Sequence, residues 1–217
     1  MTDVHNLGLF ILAGWLLNLT PGPDVLYIVS SALRSGAKAG VVAALGITAG
    51  CFVHIFAAAL GVSALMAASS TAFTALKWAG AAYLFYVGLK LVLSPGTKPV
   101  ELTAANPVQT SDKHLKSIFF KGFLTNTLNP KVALFFLAFV PQFIAPQASH
   151  PALTFVLLGV LFNVNALPVN VGYALLAAWA TRRLGAVQRA LHWLDRVAGV
   201  MFVGFGIRLA LTEAPGG

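Results

Sequence analysis

A chain of 217 residues that is 58% hydrophobic and only 9% charged, with a mean hydropathy of +0.83, has too little polar surface to cover a water-facing fold. Its formal charge of +8 is dispersed among short segments between apolar runs, which excludes a nucleic-acid partner and leaves the lipid bilayer as the chain's solvent. A closed barrel is excluded too, because the runs are too long and lack the alternation of tilted ten-residue strands.

The segment "MTDVHNLGLF" has no Lys or Arg before its apolar run and no small-residue cleavage site at the right distance, so it reads as the start of an uncleaved first helix. A bilayer core takes about 20 residues of helix. Cutting the long runs at "SALMAASSTAF" and "APQASHP" predicts six spans, at 7–32, 39–62, 71–93, 117–142, 152–179 and 193–212.

The first span contains "NLTPGPDVLY", residues 18–27, with two prolines, a glycine and a carboxylate where an unbroken helix would exclude all of them. Pro21 and Pro23 remove backbone donors, so the helix should open at Thr20, Pro21 and Gly22 and restart at Pro23. Asp24 then lies deep in the bilayer. In the second span "GITAG", residues 46–50, is a small-xxx-small pattern suited to close helix packing. Cys51 and His54 stand three apart there, but without further ligands they do not make a metal site; the lone cysteine also rules out a disulfide framework.

After the third span, residues 94–116 are rich in Pro, Ser, Thr and Asn and read as a cytoplasmic linker. It separates two similar halves, 1–93 and 117–217, of one transmembrane domain. "KWAGAAYLFYVGLKLVL" aligns with "DRVAGVMFVGFGIRLAL", and "LTPGP" with "LNPKV", which matches Pro21 to Pro130. Three helices per half is an odd number, so the halves should be inverted repeats, an arrangement that recurs in secondary transporters.

The fourth span should be broken like the first, with Asn129 as cap, Pro130 opening the second half-helix and Lys131 in its first turn. Asp24 and Lys131 are then the two mid-membrane charges, expected to compensate each other. Freed backbone groups must face protein or a watery cavity, and the half-helix starts would suit a carboxylate. Asn18, Asn126, Asn163 and Asn165, with Asn170 and Tyr27, are further candidates for the lining.

The basic residues Arg34, Lys38, Lys90, Lys113, Lys121, Arg182 and Arg196, with their basic neighbours, fall on one face, against Lys77 and Arg208 on the other. That bias makes the first face cytoplasmic and both termini extracytoplasmic. Trp78, Trp179 and Trp193 read as interfacial anchors.

The motifs "TPGPD", "GAAYLFYVGLKL" and "GFLTNTLNPKVALFF" followed by "PQF" resemble the LysE/RhtB-type amino-acid exporters, the lysine, homoserine and threonine effluxers of bacterial inner membranes. The similarity runs over nearly the whole chain. It implies efflux of small amino acids or their derivatives, with protons as the coupling partner in antiport and no cofactor. Many members have Asn where this chain has Asp24, which leaves the role of Asp24 open.

The reading of the residues themselves assigns Asp24 the coupling proton. It gives a neutral substrate's ammonium to Asp24 and its carboxylate to Lys131 or a half-helix end, leaving nothing ionised for a lysine side chain. A metal-cation exporter would need more ligands than Cys51, His54 and Asp24 supply. An intramembrane enzyme would need a nucleophile beside a base, and no Ser or Cys has one at helical spacing. Homo-oligomer assembly stays open.

Overall fold

The computed structural model describes residues 3–68, 111–145 and 148–179, together with single helical positions between 78 and 93 and between 199 and 207. The body of the third and sixth expected spans, most of the linker, and with them the division into two halves, lie outside the described residues. Within those residues the chain is helical, apart from one antiparallel bridge between Val4 and Ile144.

Helix α1 runs Leu7–Leu19 and stops because Thr20 precedes a proline. The Pro21 ring disfavours helical geometry at Thr20, which adopts φ −78, ψ 115. The chain restarts at Pro23 in α2, Pro23–Ala68, with Asp24 in the first turn. The same rule operates again at the end of α3, Asp112–Thr127. Asn129 precedes Pro130 and sits at φ −80, ψ 107, and α4, Pro130–Leu134, begins at that proline. Beyond α4 the helix widens into a π turn over Phe135–Phe139 and tightens into a 3-10 turn over Val140–Phe143. Pro141 has no N–H to continue an α ladder, and the Gln142 side chain donates to the Ala138 carbonyl at 2.8 Å. Finally α5 spans Pro151–Trp179 and carries Pro168 inside it.

Gly36 is the one residue inside α2 with non-helical backbone, at φ 82, ψ 176, a conformation that favours glycine. A Cβ placed on Gly40 would lie 2.7 Å from that of Ala32, whereas eight residues of unbroken helix rise about 12 Å. The chain therefore folds back at Gly36, and α2 is two arms, 23–35 and 37–68. The expected gap between the first and second spans is this single residue. The fourth span likewise begins earlier than expected, at Asp112 rather than 117, with the Ser111 hydroxyl accepting from the His114 N–H as N-cap.

Contacts at three points set the pairing of the broken segments. The His5 N–H donates to Phe143 O and the Ala145 N–H to Asp3 O. At the other end the Ser35 hydroxyl lies 3.4 Å from His114 Nε2. Midway, Gly22 faces the Lys131 side chain, whose Nζ lies 3.6 Å from where a Gly22 Cβ would be. Residues 7–35 and 112–143 therefore run antiparallel with break beside break.

Hydrophobic packing falls into two clusters. One is ring-rich, with Phe10, Phe135, Phe139, Phe143, Phe155 and Phe162, among them Phe135 and Phe162 at 4.8 Å between ring centres. The other is built of Ile28, Ala39, Ala43, Ala44, Ile47, Leu115, Ile118 and Ala174. In this second region Gly46 and Gly50 bring the second arm of α2 against the backbone of α3, where a Cβ would collide with the Phe119 and Phe123 carbonyls. The close packing expected of "GITAG" is thus observed.

By length and composition the stretches Pro23–Gly61, which contains the fold at Gly36, and Pro151–Trp179 are apolar enough to cross a membrane, and Asp112–Thr127 with Pro130–Phe143, bent by 46°, is so when taken as a pair. Leu60, Leu128, Leu157, Leu176 and Phe120 are exposed on the outside, as lipid requires and water would not favour.

Candidate functional site

Each broken segment receives the charged residue of the other. Pro23 and Pro130 both open a helix, and the residue after each is ionisable: Asp24 in one, Lys131 in the other. By place in the helix, then, Pro130 corresponds to Pro23 and not to Pro21. The Lys131 ammonium donates to Leu17 O at 3.0 Å and Thr20 O at 2.9 Å. These are carbonyls at the open C-terminal end of α1, where the helix dipole favours a cation. Reciprocally, Asp24 Oδ2 accepts from Asn126 Nδ2 and Asn129 Nδ2, both at 2.9 Å, at the break between α3 and α4. Both charges line one cavity, and each is held by hydrogen bonds to groups of the other break.

Asn129 joins the two sets. Its Oδ1 accepts from the Lys131 N–H at 3.0 Å, capping α4, while its Nδ2 holds Asp24. Both Asn126 and Asn129 are 3% exposed. Asn126 is positioned further by His54, whose Nε2 lies 2.8 Å from the Asn126 carbonyl oxygen. The Thr20 hydroxyl donates to Leu16 O at 2.6 Å, and the Tyr173 hydroxyl donates to Leu19 O at 2.8 Å. The last turn of α1 therefore has its carbonyls met from three directions.

Between the breaks lies a cavity of about 450 Å³ of empty space, counting its open mouth. Of the residues singled out from the sequence, Asn18, Thr20, Gly22, Asp24, Asn126, Asn129, Lys131 and Asn163 line it. Asn170 does so as well. Pro21, Pro23 and Pro130 shape the backbone around the cavity without lining it. Asn165 is a correction: it lies outside the lining, because Asn163, Ala166 and Asn170 share one face of α5 and a residue two positions from Asn163 points away. Tyr27 is also elsewhere, donating to Ile118 O at 2.9 Å.

The sequence reading missed the apolar half of the lining, made by Leu17, Val25, Ile47, Val132, Phe162 and Ala166. These residues look like any other membrane core positions until the helices are assembled. Tyr173 was missed for the same reason. Cys51, considered as a metal ligand, is a buried member of the wall. Among the described residues no three of His, Cys, Asp and Glu gather as metal ligands would.

Residues 15–213 match the LysE type translocator family. The chain belongs to that family. This LysE type translocator is 36% identical over 208 residues to an uncharacterized membrane protein of Pseudomonas aeruginosa, covering 93% of each chain. It is 31% identical over 217 residues to an uncharacterized membrane protein of Vibrio cholerae, covering 98% of this chain and 100% of that one. A leucine efflux protein of Salmonella typhimurium is 26% identical over 211 residues, 97% of each. No solved structure matches the translocator significantly. Family and apolar helices together make it a membrane transport protein.

Proposed function

We propose that this LysE type translocator exports small amino acids without a charged side chain, homoserine, threonine or leucine among them, by exchange for protons, and that the cavity between the breaks is where the substrate binds. The observation that carries this reading is the composition of the cavity wall. Among the described residues, one acid, one base and several amides stand against an apolar half formed by Val25, Ile47, Val132 and Phe162. A zwitterion with an uncharged side chain matches both halves, while the ammonium of a lysine side chain would meet apolar wall and, among the described residues, no second acid. The leucine efflux relatives support the same substrate class.

Asp24 is the proton carrier in this reading, since it is the acid of the cavity wall. One proton entering at about 150 mV releases about 3.5 kcal/mol, which sustains roughly two and a half orders of magnitude of a neutral substrate's gradient.

The full architecture belongs to the same proposal. Six spans form two inverted three-helix halves that rock about the paired breaks, in a bacterial inner membrane with both termini outside. The antiparallel pairing of 7–35 with 112–143 supports it. So does the gathering of Arg34, Lys38, Lys113 and Lys116 toward the end marked by the Ser35 and His114 contact, away from Asp3 and Ile144. A cytoplasm-active reporter fused at Gly217 would refute that topology.

The deciding assay uses proteoliposomes with labelled leucine, threonine, homoserine and lysine under an imposed pH gradient. Neutral amino acids should move and lysine should lag well behind. Lysine flux equal to theirs would show that the charges of the wall do not set selectivity.

A further inference from the structure

The hydrogen bonds of the cavity wall leave a specific set of atoms for a ligand. Asp24 Oδ2 is taken by two amides, Asn129 by Asp24 and the Lys131 N–H, and Asn163 Nδ2 by Thr48 O at 3.0 Å. Lys131 is engaged with the α1 carbonyls. Three buried atoms of the wall have no hydrogen-bond partner among the described residues: Asp24 Oδ1, Asn126 Oδ1 and Asn18 Nδ2. Buried polar groups are rarely left so, because each forfeits its hydration.

The polarity of these atoms is informative. Asn126 must turn Nδ2 toward the Asp24 carboxylate, so its Oδ1 is an acceptor by necessity. Asp24 Oδ1 is a second acceptor, carried by the side chain to which Asn126 is already bonded. A pair of acceptors bearing negative charge suits a primary ammonium, with its three N–H donors. An amide donor on the α1 side of the same wall suits a carboxylate.

We propose that substrate is held with its α-ammonium on Asp24 Oδ1 and Asn126 Oδ1 and its carboxylate on Asn18 Nδ2, while Lys131 fastens the two breaks together and is not a substrate ligand. This rests on the amino-acid reading above and replaces the expected placement of the carboxylate on Lys131 or a half-helix end. It makes Asn18 a specificity-determining residue, the one that tells an amino acid from an amine.

The test measures binding of three probes to the purified full chain: leucine, 3-methylbutylamine, which lacks the carboxylate, and 4-methylpentanoate, which lacks the ammonium. The wild type should bind leucine best, the amine next and the acid least, since only the acid forfeits the charged contact. Asn18→Leu should weaken leucine about 10- to 100-fold and the amine less than about 3-fold. Asn18→Asp, which keeps the size of the side chain, should reverse the preference in favour of the amine. An equal loss for leucine and amine in either variant would reduce Asn18 to a structural role. A wild type that prefers the acid to the amine would overturn the orientation without any variant. Those results leave the amino-acid reading standing, whereas a wild type that binds none of leucine, threonine and homoserine ends both.

Discussion

The two breaks are alike in backbone and opposite in what they offer a partner. At each, a residue before proline turns extended, a proline restarts the helix, and the next residue carries a charge. At the first break the partner meets main-chain carbonyls, Leu17 O and Thr20 O, which can only accept and whose direction is fixed by the helix. At the second it meets the side-chain amides of Asn126 and Asn129. The Asn126 amide can turn over and present oxygen in place of nitrogen, while Asn129 is held by its cap on the Lys131 N–H. The first break therefore admits donors and excludes a carboxylate, while the second admits a carboxylate, a protonated carboxyl or an amide. In the proposed cycle the site that changes protonation would use the second kind of partner, and the joint that holds the breaks together would use the first.

Lys131→Met breaks the rigid side of this comparison and should have the largest effect. It strips two carbonyls of a donor and leaves Asp24 as a buried charge without its counter-ion, costing about 3–5 kcal/mol of stability, and it should abolish transport. A thermal melt beside a flux assay checks both, and an unchanged melting temperature would mean that the α1 carbonyls do not depend on the ammonium. The exchange variant Asp24→Lys with Lys131→Asp should melt as low as Lys131→Met, although it restores opposite charges. Asn126 can turn to face a lysine, but the carbonyls cannot be made to face a carboxylate. Recovery of wild-type stability would show that charge alone, and not partner type, distinguishes the breaks.

Asn129→Ala removes the α4 cap and one bond to Asp24, and about 1–2 kcal/mol is expected from denaturation of the purified protein. Asp24→Asn sharpens the comparison from its adaptable side: a turned Asn126 should hold stability within about 1 kcal/mol of wild type. Proton-driven efflux should be lost, while counterflow exchange of labelled substrate should continue at weakened affinity, because Asn keeps an acceptor for the ammonium but not the charge. If efflux driven by a pH gradient survives in full, the proton travels elsewhere. The smallest change is expected from Tyr173→Phe, which removes the hydroxyl donor to Leu19 O and should cost about 0.6 kcal/mol, the average for such bonds inside membranes.

Much of this could be read along the chain because proline acts on its immediate neighbour. Pro21, Pro23 and Pro130 dictate where helices stop and start whatever surrounds them, so both breaks, the Asn129 cap and the close packing at "GITAG" were legible in one dimension. The membrane setting followed from composition for an equally local reason, since a chain this poor in polar residues has no other solvent. What could not be read was which atom meets which across more than a hundred residues. Asp24 bonding to Asn126 and Asn129, Lys131 reaching Leu17 and Thr20, and Tyr173 reaching Leu19 depend on two segments running antiparallel with their breaks level, and on how the helices turn about their axes. The π turn over Phe135–Phe139 and the turning of Asn165 away from the cavity were decided there as well. Composition and proline placement determined that the chain lies in a membrane and where it must be interrupted. Tertiary packing alone decided how the interruptions satisfy each other, because that depends on distances the covalent chain does not set.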